Sequence, residues 1–569
     1  MKITTLLQAS ALLLLSLFFA CSSPSASQAG ADLVIYGGTI YTMDSEQPIA
    51  EAVAVTDGKI SYVGPRSGLD KLKGSNTQEI DLQGQTMTPG LIESHAHFMG
   101  IGQLRQELDL TDIQNYEELI ERVEAAIEEA EPGEWITGRG WHQSKWDKKP
   151  ARMVRGFQTH HALSAISPDN PVYLRHASGH AGFANAKAME IAGITSESTY
   201  DERGEILKDK QGEPIGIFNE NAMFLITQHI PEASEKRRRE MFELAEQECL
   251  SKGITSFHDA GAGRETLALY QEKKDAGELD IRLYTMLDGW DTTLLAEWYP
   301  KGPQVDEWLS IRAIKLYSDG ALGSRGAWLL APYTDRPGHV GHERQPMERI
   351  GRIAQKGLET GFQVCVHAIG DRANREVLDQ FEKAFEAVPE AKDHRFRIEH
   401  AQHINGEDIP RFGKMGVIAS MQAIHMASDR PWAIDRLGID RIVDGAYVWQ
   451  KLLQTGARVI NGTDAPVEPV DPIPCFYASV TRKTLKGEPD DGYEPDQRMT
   501  REEALRSYTL DAAYGSFEED VKGSIEVGKM ADFTVFDKDL LLVADDQILS
   551  TQVTHTIVGG ELKYQKAGE

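Results

Sequence analysis

Residues Thr88–Gly100 read TPGLIESHAHFMG. An apolar run, Gly90-Leu91-Ile92, leads into two histidines spaced one apart, His95 and His97. On a β-strand, residues i and i+2 share a face, so the two imidazoles stand side by side at the strand's C-terminal end. Two neutral imidazoles on one face suit a divalent metal. Alone, such a pair reads first as two half-exposed strand histidines, and the rest of the chain has to decide.

Working outward, the middle of the chain alternates strand and helix. Strands are expected at Leu91–His97, Ile254–Asp259, Arg282–Leu287, Ile311–Tyr317, Phe362–His367, Phe396–His400, Val417–Met421 and Arg458–Gly462, with helical stretches such as REVLDQFEKAFEAV (375–388) between most of them. Eight strands in β/α alternation make an α/β fold with a TIM-type (β/α)8 barrel. The count requires residues 109–230 to be an insertion after the first strand. That stretch holds a helix (NYEELIERVEAAIEEAE), an aromatic loop (GRGWHQSKW) and a strand of its own (PVYLRHASGH). Both ends of the chain are β-rich, with Asp57-Gly58 and Gly559-Gly560 as hairpin turns. Neither end buries a convincing core alone, so residues 31–87 and 516–566 are expected to form one composite β-sandwich beside a barrel spanning 88–515.

In such barrels the active site lies at the C-terminal strand ends. Strand one ends in His95 and His97, and strand four carries Lys315 in an apolar run. Strands five and six end in His367 and His400, and strand eight leads into Asp464. Imidazole and carboxylate are typical ligands of zinc and related ions. A bound divalent metal lowers the pKa of water, and Asp464 is placed to take that proton and deliver it to a leaving group. Lys315 stands apart, because an ammonium cannot bind a cation. It is either an electrostatic or substrate-binding group or a carbamylated lysine, an anion able to bridge two metals.

The stretches TPGLIESHAHF, IKLYSDGALGSR, VHAIGDRAN, RIEHAQ, NGTDAPVEP and GSIEVGKMADFTVFD together resemble the amidohydrolase superfamily. The resemblance is to its YtcJ-like "amidohydrolase 3" group, which includes N-substituted formamide deformylase, and it covers nearly all of the mature chain. It implies a metal-dependent hydrolase of amide-type C–N bonds, with one or two divalent ions, zinc foremost. It also implies that His95 and His97 bind one metal, that His367 and His400 bind the other, and that a carbamylated Lys315 bridges them. Asp464 would be both ligand and general acid/base. An esterase or lactonase with the same site, and a non-catalytic solute-binding lipoprotein on a retired barrel, are the competing expectations.

Three further residues are candidates for a small-molecule substrate. His180, in RHASGH, is read as a pocket residue or a structural histidine. Trp141 lines an apolar pocket or packs. Arg325 binds a substrate carboxylate or carbonyl, or anchors its loop. His258 and Asp259 end strand two, where they orient a ligand or, as the preferred reading, cap the helix that follows. The formal net charge of −28 excludes a nucleic-acid partner, which needs a basic footprint. A homo-oligomer is compatible with the sequence.

At the N-terminus, Lys2 precedes the apolar run LLQASALLLLSLFFA, which stops at Cys21 before a Ser/Pro-rich tether. This has the form of a bacterial lipoprotein signal over residues 1–21, with Cys21 as the lipidated residue. An exported, membrane-tethered protein on the periplasmic side is expected, the outer membrane being favoured by the lack of an Asp after Cys21. The remaining cysteines, Cys249, Cys365 and Cys475, form no disulfide framework. Cys21→Ser is expected to release the protein from the membrane fraction or block its processing, because the lipid chains supply the anchor. Unchanged fractionation, with no lipid on Cys21 by mass spectrometry, would leave an ordinary cleaved signal.

Overall fold

Strands covered on both faces read as continuous apolar runs, and eight such runs form the centre of the molecule. The computed structural model describes residues 30–143, 146–177, 179, 181–200, 204–231 and 233–567; Cys21 and its signal-type segment, and His180, lie outside them. The barrel strands are β1 (Leu91–Ala96), β2 (Ile254–Ala262), β3 (Arg282–Asp288), β4 (Leu309–Tyr317), β5 (Gln363–Ala368), β6 (Arg397–His400), β7 (Ile418–Met421) and β8 (Val459–Asn461). Each pairs in parallel with its sequence neighbour, from β1 round to β8. Every residue of β1, β6, β7 and β8 is buried. Helices cover the outside. In Met347–Thr360, for example, Ile350, Ile353, Ala354, Gly357 and Leu358 form the buried stripe that a 3.6-residue period dictates.

The ring closes between β1 and β8 through contacts beyond the ladder. Asp464 N–H donates to the His95 carbonyl and His97 N–H to that of Ala465, both at 2.8 Å. The buried Glu93 carboxylate accepts from Thr463 N at 2.9 Å and from Thr463 Oγ1 at 2.9 Å. Gly462 makes the approach possible: a Cβ there would lie 2.3 Å from Glu93 Oε1 and 2.7 Å from His95 N.

Both chain ends contribute to one composite β domain. Strands Leu33–Tyr41, Ile49–Thr56, Lys59–Gly64, Gln78–Asp81 and Thr86–Pro89 join Phe533–Phe536, Val553–Val558 and Glu561–Gln565 in an eight-stranded sheet. Ile60 N–H donates to Lys529 O at 2.8 Å, which brings one edge of the sheet back to the segment before Phe533. The strands enclose a shared core that includes Ile35, Val53, Met87, Phe533 and Ile557. Asp57 and Gly58, at φ 51° and 72°, and Gly559 and Gly560, at 59° and 78°, make the tight turns that their sequence signalled.

The insertion after β1 carries a six-stranded sheet: Gly204–Lys208, Pro214–Glu220, Ala181–Ala184, Val172–His176, Ile136–Trp141 and Leu108–Asp109, in that order. Helix Tyr116–Glu128 packs on it, its N-terminus capped by the Asn115 side chain, which accepts from Glu118 N at 3.0 Å. The sequence read GRGW as the start of an aromatic loop, whereas Ile136–Trp141 is a strand paired in parallel on both sides. Its glycines hid it, since they carry no β signal. Gly140 is required by a tight approach to Thr111, whose Cγ2 would lie 2.5 Å from an added Cβ.

The composite domain docks at the N-terminal end of the barrel strands through a buried ion pair. Arg282, first residue of β3, donates from Nε and Nη2 to Asp532 at 2.7 and 3.0 Å, and Gly559 N–H donates to the same carboxylate at 2.8 Å. Asp532→Ala strands the Arg282 charge and is expected to cost about 3–5 kcal/mol, seen as an earlier thermal transition by scanning calorimetry. An unchanged transition would mean that apolar contacts alone hold the two parts together.

Candidate active site

Strand alternation places His95 and His97 on one face at the end of β1, and helix Phe98–Gln106 starts immediately after them. That helix is capped from β2: Asp259 Oδ1 accepts from Phe98 N at 3.0 Å, and its other oxygen accepts from Tyr270 OH at 2.9 Å. Asp259 thus caps the helix that follows β1, not the one that follows its own strand.

His95 is fully buried, with Nδ1 2.5 Å from Glu399 Oε2. Glu399 also forms an ion pair with Arg397 at 2.7 Å. Burial raises the Glu399 carboxyl, but the Arg397 charge and the bond from His95 outweigh it and hold the group well below the usual carboxylate range. An ionised acceptor makes Nδ1 the protonated nitrogen of His95. Nε2 is left to face the cavity, 3.4 Å from Lys315 Nζ and 3.5 Å from Asp464 Oδ1. Arg397 is itself saturated inside the barrel, bonding the Ser94 carbonyl, Ser420 Oγ at 3.0 Å and His258 Nδ1 at 3.2 Å. Burial, then Arg397, hold His258 neutral. This histidine contacts the arginine that supports the site.

Asp464 stands at the centre. Its Oδ1 is 3.3 Å from His97 Nε2, and its Oδ2 is 4.0 Å from His425 Nε2. Burial raises this carboxyl too, yet the adjacent His95, His97 and His400 rings hold it well below its ordinary value. His400 packs edge-on against His95 and His367, with ring centroids 4.8 and 4.4 Å apart. Its Nδ1 donates to Gln422 Oε1 at 2.7 Å, which leaves Nε2 as an acceptor. Burial pushes His400 down to about 3 and His367 well below its usual value. Neutral imidazoles are the ligand-competent form.

Two groups of donor atoms, each within 4.8 Å of one another, share Asp464: His95 with His97, and His400 with His425. His425 was missed by the sequence reading. It sits in the first turn of helix Ala423–Leu437, four residues past the end of β7, and the one available signal was that strand seven otherwise offered no ligand. His367 lies beside His400 but belongs to neither group; its Nε2 is 3.5 Å from Asp319 Oδ1. Asp319 in turn accepts three backbone N–H bonds, from Trp328, Ile369 and Gly370, at 2.8–3.0 Å. Lys315 is buried at 1% exposure, with Nζ 4.7 Å from the Tyr317 ring centre.

Two of the tentative substrate residues are used elsewhere. Trp141 is fully buried in the core of the insertion, and its indole N–H is satisfied by the Leu174 carbonyl at 2.9 Å. Arg325 makes a two-pronged contact to Asp335, at 3.1 and 2.7 Å, that anchors its own loop. No surface of Trp141 remains for a ligand, and Arg325 has spent its fork on Asp335. The donor set fits a divalent cation: four imidazoles around one carboxylate, with the buried His425 Nε2 lacking a hydrogen-bond partner.

A family model described as "Amidohydrolase family" matches residues 78–564. The chain belongs to the amidohydrolase family. It is 32% identical to the putative amidohydrolase YtcJ of Bacillus subtilis, covering 94% of this chain and 99% of that one. It is 27% identical to N-substituted formamide deformylase of Arthrobacter pascens, again covering 94% and 99%. Among solved structures, an uncharacterized metal-dependent hydrolase from Pyrococcus horikoshii aligns with a TM-score of 0.74 at 27% identity, over 90% of this chain and 99% of that one. This amidohydrolase is a hydrolase built on a nearly closed eight-stranded parallel barrel with an added β domain.

The Glu399–His95 bond sets the tautomer of a candidate ligand. Glu399→Gln is expected to weaken retention of divalent metal about 10- to 100-fold, measured by competition with a chelator on protein of unchanged circular dichroism. Unaltered retention would assign Glu399 to neutralising Arg397 alone.

Proposed function

We propose that this amidohydrolase cleaves a C–N bond of an N-acyl or N-formyl amide, using His95, His97, His400, His425 and Asp464 to hold divalent metal, zinc by donor preference, with His367 beside them. The observation that carries the reading is Asp464: one ionised, buried carboxylate shared by two imidazole groups. The likeness to a formamide deformylase supports the substrate class. A divalent ion there lowers the pKa of water and polarises a carbonyl oxygen. The chain's own residues do the rest. Glu399 and Gln422 fix which nitrogen of His95 and of His400 faces the cavity. Asp464 takes a proton at a carboxylate oxygen and returns it to the departing nitrogen, which is a poor leaving group unless protonated.

Lys315 is assigned the bridging role. As an ammonium 3.4 Å from His95 Nε2 it would repel a bound cation. Addition of its neutral amine to CO2, forming the N–C bond and releasing one proton to solvent, would give a carbamate, an anion suited to bridging between the two imidazole groups. An ester or lactone is the second reading, favoured if proton delivery by Asp464 proves dispensable, since an alkoxide leaves more readily than an amide nitrogen. Export and lipid anchoring through Cys21 complete the proposal.

Protein loaded with zinc or manganese and screened against N-formyl amides, N-acyl amides and lactones is expected to turn over the amides. Asp464→Asn should lower amide kcat by about 10²–10⁴-fold. Lys315→Ala and Lys315→Arg should both lose metal and activity, because guanidinium stays cationic. Full metal content and activity in Lys315→Arg would overturn the bridge, and turnover of lactones alone would replace the amide reading.

A further inference from the structure

In the insertion, Ile136–Trp141 and Val172–His176 pair in parallel with Arg139 directly opposite Arg175. Neighbouring strands lie about 4.8 Å apart, and residues in register project from the same face. Two guanidiniums so placed repel, and like charges directly opposite weaken a sheet. Among the described residues the other arginines of the insertion are matched with acids: Arg122 with Asp112, Arg152 with Asp209 and Arg155 with Glu205. Among the described residues neither Arg139 nor Arg175 has a side-chain hydrogen bond or an ion pair. That is unexpected in a chain with 88 acidic and 60 basic residues.

Their position relates them to the active site. Gly138 and Arg139 pair with Leu108 and Asp109, the segment that follows helix Phe98–Gln106 and hence His97. The first turn of that helix packs on the loop carrying Asp464 and Glu468, since a Cβ on Gly100 would lie 3.1 Å from Pro466 Cδ. Arg139 is half-buried and Arg175 exposed. Burial, then the charge of Arg175, push the Arg139 guanidinium below its ordinary value, while Glu107, Asp464 and Glu468 act in the opposite sense without reaching ion-pair distance. Arg139 thus stands within electrostatic reach of the carboxylate at the centre of the site, which His95 and His97 flank at 3.5 and 3.3 Å.

We propose that Arg139, with Arg175 beside it, binds a free carboxylate on the substrate, so that this amidohydrolase selects acidic amides such as N-acylated amino acids. The proposal rests on the amide-hydrolase reading for its substrate class. The arginine fork matches a carboxylate in plane and spacing. A half-buried fork on Arg139 and an exposed one on Arg175, neither paired with an acid, lack only the anion. The pair also answers a long-range difficulty: a net charge of −28 repels an anionic substrate, and a local cationic feature beside the site reverses that field where the substrate docks.

The test uses matched compounds, an N-acetyl or N-formyl amino acid and its primary amide, with zinc-loaded full-length protein. Affinity is read by titration calorimetry and KM by turnover. The wild type is expected to bind the acid at least about tenfold more tightly than the amide, the strength of one charge-assisted contact. Arg139→Ala is expected to erase that ratio, and Arg139→Lys to keep part of it, retaining the charge but not the fork. Equal affinity of the wild type for the two compounds, no detectable binding of the acid, or an unchanged ratio in Arg139→Ala would overturn the proposal. Arg139-dependent binding of the acid without hydrolysis would leave the carboxylate site standing and remove the amide reading. Hydrolysis of both compounds without preference would do the reverse.

Discussion

The barrel has to close between its shortest strand and its first, and that closure is also the construction of the site. Three residues of β8, Val459–Asn461, pair with β7 alone. The joint with β1 is made just past them by Glu93 on Thr463, by Asp464 on the His95 carbonyl and by His97 on Ala465. The same backbone bonds that seal the ring therefore set the positions of His95, His97 and Asp464. Gly462 is what lets the two chains approach so closely. A residue with a side chain there would separate the strands and the three functional groups together.

Beneath the site runs a line of buried charge. Arg397 lies inside the barrel with no exposure, and its cost there is met by Glu399, by the Ser94 carbonyl, by Ser420 and by a neutral His258. Glu399 then orders His95, and His95 faces Asp464 and Lys315. Removing any one member leaves its neighbour buried and unmatched. Such a network holds side chains in one geometry, which is what a site that must present several donors to one point requires. His400 and His367, kept neutral by burial, add donors without adding charge.

The insertion is joined to this centre through the segment that follows His97. Its sheet begins only two residues after the helix that follows His97, and the strands of Arg139 and Arg175 lie next in that sheet. Its core, with Trp141, Leu174 and Phe183, makes it a packed unit and not a flap. Under the proposed reading, substrate selection falls to the insertion and metal holding to the barrel rim.

The eight strands were legible because buried parallel strands are continuous apolar runs, and the strand-end series His95, His97, Lys315, His367, His400 and Asp464 was legible because those residue types end such runs. The two Gly-containing hairpins were legible from the positive φ that their turns demand. Other features left no local trace. Glu399 precedes His400 and looks like strand filler until Arg397 and His95 are seen on either side of it. His425 lies on a helix, outside the strand-end pattern, and reaches Asp464 only because the chain turns after β7. Ile136–Trp141 lacks β-branched residues at its glycines and becomes a strand through pairing on both sides. Trp141 and Arg325 carry the residue types of a binding site, yet one is sealed in a core and the other is tied to Asp335. The sequence by itself determined which elements exist and which chemistry ends them, since periodicity and residue type are local properties. Only the tertiary structure decided which groups meet, because burial and hydrogen-bond partners depend on neighbours up to several hundred residues away.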